Sequence, residues 1–125
     1  MKANPKQTFA LVLALACPLL ARAEPPSEVQ QEVRHLLAYI EESGCEFSRN
    51  GVWSSSRTAQ QHLRTRYDSL ARQGRIRTTR DFIEQAAAEA ALSGKTDEVR
   101  CGLKAPVPSG NWLSDELARY QSLQR

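Results

Sequence analysis

Few residues in this chain of 125 belong to the types that do chemistry, and their spacing limits what that chemistry is. There are two histidines and three cysteines. His35 falls on the side of a helical run away from its apolar positions and is expected at the solvent. His62 stands one residue before Leu63, at the border of a second helical stripe. A histidine there is ordinarily a boundary residue hydrogen-bonded to nearby backbone; the functional alternative is a ligand-binding group or a general base. Nucleophilic catalysis needs a serine or cysteine, a base and a group that orients the base, and no serine stands in a nucleophile-elbow context. Zinc takes three or four His, Cys or carboxylate ligands, and the cysteines are better used on each other. The reading is therefore no metal, no cofactor and no catalytic residue. Paired carboxylates occur at Glu41-Glu42, Asp97-Glu98 and Asp115-Glu116. Adjacent helical residues diverge by about 100°, so these pairs read as solvated surface.

The cations are a richer set. Residues 24–48 hold six acids and one arginine, residues 49–80 hold eight arginines and one aspartate, and residues 81–125 hold seven acids and five bases. Two explanations stand. The acidic first segment lies beside the basic one, or the arginines form an exposed face for an anionic partner such as a glycan, a lipid headgroup or an acidic protein.

The chain opens with an export pattern. Lys2 and Lys6 precede an apolar run from Phe9 to Leu20, and Ala21-Arg22-Ala23 follows. That is the order of a secretory signal peptide cut after Ala23. The run is shorter than the roughly 20 residues a spanning helix needs. Residues 1–23 therefore read as a signal peptide, and residues 24–125 as one small domain with no transmembrane segment. The alternative is acylation at Cys17, which would tether the same domain to a membrane. Removing Lys2, Lys6 and Arg22 leaves 14 basic residues against 14 acidic ones. The apparent basicity vanishes, and with it any argument for nucleic acid.

Cleavage also leaves two cysteines, Cys45 and Cys101. In an oxidising compartment such a pair in a domain of this size is expected to form a disulfide. A small core gains from the cross-link.

The elements follow from periodicity. Ser27 and Gln30 suggest a capping box. Val29, Val33, Leu36, Leu37 and Ile40 then make one helical stripe, which Gly44 ends. Asn50-Gly51 marks a tight hairpin, with Arg49 beside its tip. Serines 54–56 cap a second helix that buries Ala59, Leu63, Tyr67 and Leu70 and stops at Gly74. Thr78 or Thr79 caps a third, with Phe82, Ile83, Ala86 and Ala90 inward and Ser93-Gly94 closing it. Residues 95–103 alternate, placing Val99, Cys101 and Leu103 on one strand face. Residues 105–110 read as a loop, and a last helix starts near Asn111 or Trp112, burying Trp112, Leu113, Leu117 and Tyr120. The expected class is mostly α (α+β): about four helices, with a small antiparallel sheet formed by a hairpin and one later strand, clipped by the disulfide.

Phe47-x-Arg49-Asn50-Gly51, Ala59-x-x-His62-Leu63-Arg64, Ile76-x-Thr78, Phe82-Ile83, Ser93-Gly94-Lys95, Cys101 and Trp112-Leu113 occur in this order. In them the chain resembles a family of small exported proteobacterial proteins classed as a domain of unknown function, over about residues 28–121. The resemblance implies a periplasmic, compact and mostly helical domain, and brings no activity or catalytic residues. The chain departs from the pattern in two places. Thr96-Asp97 stands where similar proteins tend to read Pro-Tyr after Ser-Gly-Lys, and Arg66 stands where a lysine often follows the His-Leu-Arg step.

The functional expectation is a periplasmic or secreted, non-enzymatic binding or accessory protein of the cell envelope. Its partner is an envelope protein or an anionic envelope component, and its binding surface combines Arg49, Asn50, His62, Arg66 and Lys95. One alternative is a small envelope hydrolase with His62 as general base. Another is a structural or stress-related protein without a dedicated site.

Overall fold

The apolar stripe of the first helix sets the layout. In the computed structural model, which describes residues 24–87 and 96–125, helix α1 spans Ser27–Glu42 and buries Val29, Val33, Leu36, Leu37 and Ile40, the predicted set. Its start differs from the expectation. Pro26 occupies the N-cap with no side-chain cap, and Gln30 instead donates its Nε2 to the Pro25 carbonyl at 2.7 Å. Gly44 follows the helix with φ 66°, a left-handed turn that glycine enters without steric cost.

The hairpin forms as predicted, with β1 at Glu46–Arg49 and β2 at Val52–Ser55. Arg49 pairs with Val52 and Glu46 with Ser55. Asn50 and Gly51 both take positive φ, 52° and 80°, which is the mark of a type I′ turn. Ser55 caps α2, Ser56–Arg72, by accepting from the Thr58 N–H. The Ser56 hydroxyl donates to the Glu41 carbonyl, so α2 returns antiparallel to α1. Ala59, Leu63 and Leu70 are buried on α2, while Tyr67 is half-buried.

Thr78 caps α3, Thr79–Phe82, in a reciprocal capping box with Asp81. The helix does not run on as a plain α-helix, since Ile83–Ala87 form a π turn. Of the inward positions expected on the third helix, Phe82, Ile83 and Ala86 are buried. Ala90 and the closing Ser93-Gly94 lie outside the described residues, as do Lys95 and the whole of residues 1–23.

The later strand is β3, Glu98–Arg100, antiparallel to β1 with Phe47 opposite Val99. The expected loop holds a fourth strand, β4 at Val107–Pro108, giving the order β2-β1-β3-β4. Alternation also misleads at Leu103, which is fully exposed. The chain turns at Gly102, φ 61°, and the Lys104 N–H bonds back to the Cys101 carbonyl. The last helix, α4, starts at Ser109 and runs to Leu123. It begins earlier than expected because the Ser109 N–H donates to the Asp97 carbonyl at 2.9 Å, which fixes its first turn beside β3.

Cys45 and Cys101 form the expected disulfide, with Cα atoms 4.4 Å apart. It joins the chain leaving α1 to the end of β3. The core between the sheet and the helices is fullest at Val33, Leu36, Ile40, Ile76, Phe82, Val99 and Leu113. The class is therefore α+β and mostly helical. Among the described residues no helix is long and apolar enough to cross a membrane.

Candidate functional site

The hairpin tip, α2, the π turn and the start of α4 meet around one small cavity of about 40 Å³. It is lined on its polar side by Ser48, Arg49, Ser54, His62, Asp97 and Ser109. Each side chain arrives by a local rule. The type I′ turn ends β1 at Arg49, whose position on the core-facing side, two residues from buried Phe47, turns it over the cavity. His62 sits on α2 three residues after Ala59, one of the buried positions, and so borders the packed face.

Arg49 is half-buried. Its guanidinium makes no ion pair and no hydrogen bond with any described residue. Asp97 is buried in the same cavity. Burial pushes its carboxyl up, while a backbone hydrogen bond from Asn50 and the charge of Arg49 pull it down. Asn50 itself is exposed. Through its backbone Asn50 ties the hairpin tip to Asp97, whose own carbonyl holds the start of α4.

Arg66 lies one helical turn beyond His62. Its Nε donates to the Gln85 carbonyl in the π turn at 3.0 Å, and the Gln85 amide in turn donates to the Arg75 carbonyl at 3.1 Å. Burial lowers the Arg66 pKa, and the neighbouring charges of Arg49 and Arg75 lower it further. Arg49 and Arg75 thus lie within electrostatic reach of Arg66, and of the three Arg49 lines the cavity. Of the five residues expected to form a surface, Arg49 and His62 share the cavity, Asn50 and Arg66 adjoin it, and Lys95 lies outside the described residues.

The arginine-rich segment is not neutralised by direct pairing with α1. Exposed Arg57, Arg64, Arg72, Arg75 and Arg77 make no ion pair with any described residue. Arg80 pairs only loosely with Glu84, 3.8 Å away.

A catalytic reading of the cavity meets a geometric gap. His62 is exposed and forms no hydrogen bond with a serine or carboxylate among the described residues. No group of three or more potential metal ligands occurs among those residues.

Sequence reasoning missed the buried carboxylates. Asp97 and Glu116, read as solvated surface, are both buried, as is Glu32. For Asp97 a signal existed: neighbours at the start of a strand point to opposite faces, so one of Asp97 and Glu98 had to turn inward. His35 is also misplaced by the periodicity argument. It is only partly exposed, stacks on Tyr120 with ring centroids 4.0 Å apart, and meets Glu116.

A hairpin-led sheet clipped by one disulfide to a helical layer, with a small polar-lined cavity at the hairpin tip, defines a small α+β domain of the kind that oxidising compartments favour. The chain belongs to a family of unknown function (DUF5329), whose model matches residues 27–121. No curated protein and no solved structure matches it. The ordered motifs from Phe47 to Trp112 fall inside the matched range.

Proposed function

We propose that this is an exported binding or accessory protein of the cell envelope, acting without catalysis through the surface around Arg49, Asn50, His62, Arg66 and Lys95. The observation that carries the reading is Arg49, a half-buried residue that lines the cavity and makes no hydrogen bond or ion pair with any described residue. The disulfide supports an extracytoplasmic setting. So does the start of the sequence, where residues 1–23 carry the signal-peptide pattern, with cleavage after Ala23 and a soluble periplasmic product in preference to acylation at Cys17.

The test is affinity capture from envelope extract with cross-linking and mass spectrometry. Wild type is compared with a protein carrying Arg49→Ala, His62→Ala and Lys95→Ala. Loss of the captured partners in the variant supports the surface. Unchanged capture excludes it.

The second reading is a small envelope hydrolase with His62 as general base. The shared lining of His62, Asp97 and three serines around one cavity favours it. The absence of a hydrogen bond between His62 and any of those groups weighs against it.

A further inference from the structure

The sheet has a second face, and its polar residues are arranged around one indole ring. Cross-strand partners share a face, and successive residues of a strand alternate between faces. Phe47 and Val99, opposite each other, are buried in the core. Ser48 pairs with Trp53 and Glu46 with Arg100. Glu46, Ser48, Trp53, Glu98 and Arg100 therefore lie on the outer face, and of these only Ser48 is buried.

The Arg100 guanidinium lies over the Trp53 ring, 4.0 Å from its centroid. It donates to the two oxygens of Glu46 at 3.0 Å and 3.4 Å. An indole face attracts cations, and a guanidinium matches both oxygens of a carboxylate. The protein thus already holds one guanidinium between this ring and an acid.

A second carboxylate stands by the same ring without such a partner. Glu98, two residues before Arg100 on β3, makes no ion pair with any described residue. Together with Trp53, Ser48, Gly51 and Thr96 it lines an open cleft of about 360 Å³. The Ser48 Oγ accepts from the Glu98 N–H at 2.9 Å, which holds β1 and β3 together there. Glu98 is the one charged side chain among the described lining residues.

We propose that this cleft docks an arginine side chain of a partner protein, its guanidinium on Glu98 and its methylene stem along the indole of Trp53. The Glu98 charge repels anionic groups and attracts cations. Between the two common cations, the guanidinium is planar, weakly hydrated and stacks on aromatic rings, whereas the lysine ammonium is a compact, strongly hydrated point charge. The arginine stem covers apolar surface while its head stays with polar groups. Arg100 makes the same combination of contacts two positions along the strand. The cleft lies on the opposite face of the sheet from Arg49, so this docking site is independent of the Arg49 surface.

Two other occupants compete. A neutral saccharide stacks on indole rings and bonds to hydroxyls, but it makes no use of the Glu98 charge. Lys95, next to Thr96 and outside the described residues, is the chain's own competing cation.

The experiment uses the protein exported to and purified from a bacterial periplasm. N-acetyl-arginine amide, its uncharged isostere N-acetyl-citrulline amide, and N-acetylglucosamine are titrated at constant ionic strength. The Trp53 indole N–H and the Thr96 and Glu98 amides are followed by NMR. One side chain on an open site binds weakly, so saturation is expected in the millimolar range. The arginine amide should bind about three- to five-fold more tightly than the citrulline amide, the scale of one exposed charge pair. Glu98→Gln should bring arginine down to the citrulline level and leave citrulline unchanged. Trp53→Phe should weaken both. Unchanged Trp112 indole and α1 amide signals show that a variant is folded. If Trp53→Phe fails this check, Glu98→Gln, which alters a half-exposed side chain, decides the matter.

Equal affinity for arginine and citrulline, an unchanged arginine response in Glu98→Gln, or no saturable shift overturns the proposal. Tighter binding of N-acetylglucosamine overturns it in favour of a saccharide site. Arginine binding seen only in a Lys95→Gln protein overturns it in favour of Lys95 as the resident cation. Concentration-dependent shifts of the same signals in the protein alone, lost in Glu98→Gln, overturn the partner protein in favour of a second copy of this chain.

Discussion

His35 and Glu116, 81 residues apart in the chain, meet at 2.6 Å between Nε2 and Oε2 and join α1 to α4. The Glu116 side chain is only 3% exposed. Arg119 completes its coordination with two contacts of 2.7 Å. The hydrogen bond from Arg119 holds the Glu116 carboxyl below its ordinary range; burial opposes this, and His35 adds to it.

A pH dependence follows from that depression. With its folded pKa below the unfolded value, Glu116 contributes stability that is fully present above an unfolded pKa of about 4.3. That contribution is lost as pH falls through the folded pKa. Urea unfolding midpoints measured from pH 7 to pH 2.5 should therefore decline in acid. Glu116→Gln should flatten part of that decline and cost about 2 kcal/mol at pH 7, the scale of hydrogen bonds to a buried charge. An identical acid limb in the variant would contradict the assignment.

The disulfide closes a loop across 56 positions, for which the chain-entropy model gives roughly 4 kcal/mol. A Cys45→Ala, Cys101→Ala protein should lose stability on that scale. Wild type in strong reductant should show the same loss in its urea midpoint. A change below about 1 kcal/mol would mean that the unfolded chain is already constrained.

Phe82 and Leu103 make a matched pair of opposites. Phe82 has no exposed surface, and Leu103 is fully exposed. Phe82→Ala should cost about 3–5 kcal/mol, while Leu103→Ser should stay within about 0.5 kcal/mol of wild type. Thermal or urea melts distinguish the two. A large loss at Leu103 would restore the inward strand face that alternation alone suggests.

Export can be read from a single mass. Protein recovered from the periplasm should begin at Glu24, so its intact mass should lack residues 1–23. Pro25 is already buried and α1 begins at Ser27, so this cut leaves the described fold entire. Cys17→Ser should leave the mass unchanged. A lipid-modified Cys17 at the N-terminus would instead place the domain on a membrane.

Some features needed only neighbours in the chain, and those were legible in the amino-acid sequence. The α1 stripe, the Asn50-Gly51 turn, the Ser55 cap and the Gly44 stop each depend on residues within about a turn of one another. The Cys45–Cys101 pairing followed from count and compartment once the export pattern left only two cysteines. Arg49 and His62 were singled out from ordered motifs, and tertiary structure set them around one cavity.

Only the tertiary structure decided the buried acids and the end of β3. Glu32 is satisfied by Thr79 and Gln121, and Glu116 by His35 and Arg119. In each case at least one partner comes from an element distant in the chain. A carboxylate read in isolation is priced as solvent-exposed, because its burial becomes tolerable only when such partners arrive. Leu103 failed for the reverse reason, since its alternation was local and the chain had already turned at Gly102. Composition and periodicity thus determined the helices, the hairpin and the disulfide, whereas which polar groups face inward was settled by contacts that exist only once α1, the sheet and α4 have packed.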